Sequence, residues 1–174
     1  MAGAVAQMVL RQLAPDLVVR GFARQIGPLS LSEDEVATLQ ADPPAVRQID
    51  DFPARLPSLR LKTQVEQLLL AAKREGKSYG GLVELWCDGV PKGLGQPVFH
   101  KLKSDLAAAL LGVGSVSSVE LGDGMLAAKA EGSEFHRAAD SPDRYGGIRG
   151  GISTGERIVL RAACKPTATV LDTA

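Results

Sequence analysis

An excess of charge of either sign is missing from this chain. Its 174 residues carry 20 lysines and arginines against 20 aspartates and glutamates, so no net field draws it toward nucleic acid or an anionic membrane, and any anion site has to be local. Cysteine is nearly absent too. Cys87 and Cys164 stand far apart inside segments that read as strands, without a Cys-x-x-Cys or a histidine cluster, and buried reduced thiols are the reading that fits. The two histidines, His100 and His136, have no metal-ligand spacing. No apolar run approaches the ~20 residues of a membrane span. The start, MAGAVAQMVLRQL, lacks a positive n-region and is interrupted by Gln7 and Arg11, so it does not read as a signal peptide. A cytoplasmic protein, or a plastid one missing its transit segment, is expected. No repeat of solenoid length is found.

What is present is a globular composition, 45% hydrophobic and 23% charged, enough for one sizeable core and a single domain over residues 1–174. Ala2 to Leu13 has helical propensity and no N-cap, beginning as though an upstream segment had been cut away, and Pro15 ends it. Leu17 to Ile26 alternates as a strand, stopped by Gly27-Pro28. Ser32 with Glu35, and Thr63 with Glu66, form capping-box patterns that open helices to about Leu39 and over Gln64 to Glu75, with Gly76 as the second stop. Between them Asp42 to Pro57, with four prolines, reads as a loop or extended connector in which Ile49, Phe52 and Leu56 can pack.

The chain is organised around Ser78 to Asp123. Leu82 to Cys87 suits a buried strand, and Gly89 to Pro97 is too rich in glycine and proline for regular structure. From Phe99 to Leu111 apolar residues fall at helical spacing, with Gly112 at the cap position, and Val116 to Leu121 resumes strand character before Gly122-Asp123-Gly124 turns the chain. Met125 to Ala130 has helical character. Gly132 to Tyr145 is polar and aperiodic, a mobile loop, and Arg157 to Cys164 is a last strand.

That strand meets Lys165-Pro166-Thr167-Ala168-Thr169. A lysine, a proline that fixes the turn and two hydroxyl residues offer a phosphate one charge, hydroxyl donors and free backbone N–H groups. The same residues would also make a plain surface turn.

At this point the motifs can be taken together. GVPKGLGQPVFHKL, SSVELGDG, GSE at 132–134, GGIRGGISTG at 146–155 and KPTAT at 165–169 resemble, in order and spacing, those of chorismate synthase, over nearly the whole chain. The resemblance implies an α/β (α+β) fold, a partial β-α-β sandwich with helices packed on mostly antiparallel sheet. It implies reduced FMN as cofactor, with Lys165, Pro166, Thr167, Ala168 and Thr169 as flavin contacts. Gly150, within the glycine pairs Gly146-Gly147 and Gly150-Gly151, would let backbone approach a planar ring, or else serve a tight crossing between strands. Gly114-Ser115 takes the place of another flavin contact, or is a simple helix-to-strand turn. His100 stands where the family usually has aspartate and reads as decorating a helix start, and His136 reads as solvated. Where the family commonly has asparagine-histidine-alanine this chain has Asp143-Arg144-Tyr145.

The family's glycine-glutamate-serine-histidine signature, its second catalytic histidine, its substrate arginines and its arginine-histidine-aspartate segment are not found here. The expectation is therefore an internal to C-central portion of an enzyme that converts 5-enolpyruvylshikimate 3-phosphate to chorismate and phosphate, with homo-oligomerisation expected and no nucleic-acid or membrane partner. No catalytic residue and no metal site is expected within it. The alternative is a non-catalytic flavin-binding or subunit-interaction remnant. A dinucleotide oxidoreductase is a poor reading, because Gly89 to Gly95 is not the glycine fingerprint between a first strand and a helix.

Overall fold

The computed structural model describes residues 2–137 and 144–168. Helix α1 (Ala2–Leu13) leads to strand β1 (Val18–Ile26), which turns at Gly27 into β2 (Leu29–Ser30). Then come α2 (Glu33–Ala41), α3 (Val46–Asp50), a 3-10 turn at Pro53–Arg55, α4 (Lys62–Glu75) and β3 (Gly81–Asp88). The chain continues through α5 (Leu102–Leu111), β4 (Val116–Leu121), a 3-10 segment at Gly124–Lys129 and α6 (Gly132–Arg137). It closes with β5 (Ile148–Arg149), β6 (Ile152–Ser153) and β7 (Ile158–Cys164). Five strands form one sheet in the order β2-β1-β3-β7-β4, and β5 pairs antiparallel with β6. The outcome is the expected mixed α/β architecture on antiparallel sheet. The last strand lies between β3 and β4, so the two strands flanking α5 are not neighbours.

The chain forms two compact units. One comprises Met1–Arg20, Leu85–Val113 and Val119–Arg161. Its core is Val90, Ile148, Ile158 and Leu160, with Leu102, Leu106 and Leu110 of α5 packed against it. Trp86 is fully buried with the Arg157 guanidinium 4.6 Å from its ring centre, and Asp88 accepts from both Arg20 at 2.6 Å and Arg157 at 2.7 Å. In this way the charges around the buried indole are paired.

The other unit comprises Gly21–Glu84, Gly114–Ser118 and Ala162–Ala174. Ile49, Leu56 and Val65 are fully buried in it. Glu84 is fully buried as well, and it accepts from Arg24 at 2.6 Å. The Ser32 and Glu35 capping box forms as read. The second does not: α4 starts at Lys62, its cap position is Leu61, and the Leu61 N–H is held by the Ser58 hydroxyl at 3.1 Å. A serine five residues ahead of the motif therefore sets the entry, and Thr63 is already inside the helix.

Three further expectations are corrected. The proline-rich connector contains α3, because Gln48 reaches back to the Ala45 N–H and closes one turn. Helix α5 begins at Leu102 and not Phe99, since Gln96 and His100 bridge each other and Lys101 is extended. Phe99 is left 89% exposed. Residues 132–137 are helical, with Glu131 capping the Ser133 and Glu134 amides.

Candidate functional site

In the second unit, β7 ends at Cys164 and the Lys165 N–H donates to the Ser115 carbonyl at 2.9 Å. Two segments 50 positions apart, both singled out from sequence, are thereby joined by one backbone hydrogen bond. Two residues along on each segment, the Ser117 hydroxyl donates to the Ala163 carbonyl at 3.3 Å. The Ser78 hydroxyl donates to the Thr167 carbonyl at 2.5 Å. Gly80 packs so closely that a Cβ there would sit 2.7 Å from the Cys164 carbonyl oxygen and 3.1 Å from the Pro166 ring. These contacts hold the turn while residues 165–168 stay exposed. Since the Lys165 amide is taken by Ser115, the turn's offer to an anion is led by the Lys165 ammonium, not by a full row of free N–H groups. No described carboxylate pairs with the Lys165 ammonium.

Gly80 also lines an open cleft of about 330 Å³ with Gln25, Gly27, Gly81, Leu82 and Ala163. Its walls are mostly backbone and small side chains, so a flat ligand could approach without displacing a bulky group. Thr169 lies outside the described residues.

Gly150 belongs to the first unit. It and Gly151 form the two-residue link between β5 and β6, with φ of +61° and +90°, the left-handed geometry that tight hairpins require. A Cβ at Gly150 would meet no atom, so its face is open. Gly147 differs: a Cβ there would lie 2.5 Å from the Arg157 carbonyl oxygen, so the first glycine pair serves a close backbone crossing.

His136 is not simply solvated. Its Nδ1 pairs with the Tyr145 hydroxyl, and Phe135 stands edge-on to Tyr145 at 5.0 Å. Arg149 stacks 4.6 Å from the centre of the Tyr145 ring, and Arg144 lies 5.7 Å from that of Phe135. Sequence reading missed this cluster because its members flank a polar segment and have no periodicity; the pattern Arg-Tyr-x-x-x-Arg at 144–149 was the available signal. Asp143 lies outside the described residues. His100 sits 3.5 Å from Asp105 at the α5 start, as a residue decorating that helix should.

Among the described residues no cluster of histidine, cysteine or acidic side chains could hold a metal, and no helix is long and apolar enough to cross a membrane.

Sheet, helices and turn positions together define a protein of the chorismate synthase fold. The structure matches one titled "Crystal Structure of Chorismate Synthase" with a TM-score of 0.79 and 26% identity, over 98% of this chain and 55% of that one. The family model described as chorismate synthase matches residues 1–174. A chorismate synthase of Bdellovibrio bacteriovorus is 48% identical over 100% of this chain and 49% of its own length. One of Archaeoglobus fulgidus is 41% identical over 97% of the chain and 47% of its own. The chain belongs to the chorismate synthase family, a family of lyases of the shikimate pathway. It spans about half the length of the curated relatives it matches.

Proposed function

We propose that this chain is the flavin-holding portion of a chorismate synthase. The complete enzyme converts 5-enolpyruvylshikimate 3-phosphate to chorismate and phosphate, with loss of a proton and no net redox change. The single observation that carries the reading is the Lys165 to Ser115 hydrogen bond of 2.9 Å, which joins two of the segments expected to contact the cofactor. The residues fit reduced FMN. Lys165 offers a cation to its phosphate, with Pro166, Thr167 and Ala168 shaping the turn. Gly114 and Ser115 bring backbone alongside. Bound there, reduced FMN supplies an electron-rich ring that assists departure of the substrate's phosphate. The chain's own part is to bind and orient that ring.

Because the histidine-bearing signatures of the family are not among these 174 residues, the chain by itself turns over little or no substrate until a complementary segment is supplied. Titration of FMN into the purified chain, followed by flavin fluorescence, tests the first half of the proposal. Saturable binding is expected, weakened tenfold or more, on the order of a lost charged hydrogen bond, by Lys165→Gln. No binding at millimolar FMN overturns the flavin reading. Full chorismate formation by the isolated chain with reduced FMN overturns the reading as a portion.

One observation favours a second, compatible role in subunit association. Helix α1 buries no residue and exposes Val5 at 61%, Met8 at 66% and Leu13 at 77%. Exposed apolar faces of this kind mark interaction surfaces, and the occupant proposed for this one is another copy of the chain in a homo-oligomer.

A further inference from the structure

We infer that His136, Tyr145 and Arg149, with Arg144 beside them, form a second anion site that takes a phosphate group. The inference uses none of the residues assigned to FMN and does not depend on that assignment.

The chain is electrically neutral, yet this cluster gathers two guanidiniums and an imidazole. Asp123, 3.7 Å from Arg144, is the carboxylate that meets it among the described residues. The nearby Glu131 is engaged elsewhere, accepting from the Ser133 hydroxyl and the Ser133 and Glu134 amides. Arg149 is exposed and lies face-on to Tyr145 at 4.6 Å. Stacking occupies the flat face of a guanidinium and leaves its edge of N–H donors outward, the edge that grips phosphate.

The His136 and Tyr145 pair adds a donor whichever way its proton points. If the tyrosine hydroxyl donates to Nδ1, the ring carries its hydrogen on Nε2, facing away; if Nδ1–H donates, the hydroxyl hydrogen is free. Phe135, edge-on to His136 at 5.5 Å and to Tyr145 at 5.0 Å, holds both rings in place. Donors packed against neighbouring rings, around an Arg149 that no carboxylate meets among the described residues, bind a tetrahedral dianion better than a lone surface lysine does, because less freedom is lost on binding.

The chain has two histidines, which makes ring-proton NMR a local readout, with His100 as internal control and His136→Asn for assignment. Titration with inorganic phosphate against sodium chloride at matched ionic strength should shift the His136 ring signals saturably and leave those of His100 in place. Arg149→Gln should weaken that binding about tenfold, with an unchanged unfolding midpoint and unchanged FMN affinity. Repeating the titration with glycerol 3-phosphate separates the sources: tighter binding identifies a phosphomonoester, equal binding free phosphate. His136 signals that do not move, or that move equally in Arg149→Gln, overturn the site. A chain that binds phosphate at His136 but not FMN sinks the flavin proposal and leaves this one standing.

Discussion

At the scale of single residues, Glu35 shows how much one side chain can organise. It accepts from Arg60 at 2.8 Å and from Ser58 at 2.5 Å, and it completes the α2 capping box. Arg60 above all, against the opposing effect of burial and with help from Ser58 and the Ser32 amide, lowers its carboxyl from 4.5 to about 2. A depressed carboxyl contributes stability that is fully present above its ordinary value and is lost as pH falls through the folded one. The melting temperature should therefore decline as pH drops from about 4.5 toward 2. Glu35→Gln should flatten that decline and cost about 1 kcal/mol at neutral pH, read by calorimetry. Cys87 is the opposite case. Burial, with Asp88 adding, pushes its thiol up to about 11, so in the native chain it should resist iodoacetamide at pH 8 and react only after unfolding, as mass spectrometry would show.

At the scale of elements, legibility followed how local the cause was. Strand β3, helix α1 and the Gly76 stop of α4, with φ of +59°, were readable because their signals lie within a few neighbouring residues. The start of α5 was not. Phe99 continues an apolar helical period, but the pairing of Gln96 with His100 and the hydrogen bond from the Leu102 amide to the Gly151 carbonyl set the boundary, and Gly151 is distant in sequence. Gly80 illustrates the same point at the candidate site: it reads as a strand boundary, while its missing Cβ is what admits Cys164 and Pro166. Gly80→Ala should push the 165–168 turn outward, lowering stability by about 1–3 kcal/mol in urea unfolding and weakening FMN binding in the same protein. Unchanged values for both would show that the close contact is not what holds the turn.

At the scale of the whole molecule, the exposed apolar face of α1 predicts self-association. Light scattering after size exclusion should give a multiple of the 18.3 kDa chain mass, and Met8→Glu should shift it toward the monomer by placing a charge in the covered face. Sequence alone determined the family, the main strands and longer helices and the Lys165 turn, because glycine, proline and capping patterns act over a few positions and survive as spacing. Tertiary structure decided that β7 enters between β3 and β4, that Lys165 meets Ser115, and that His136 is partnered by Tyr145. Each of those joins chain segments through hydrogen bonds whose donors and acceptors are present in every residue or scattered along the chain, and nothing in a linear pattern says which of them will meet.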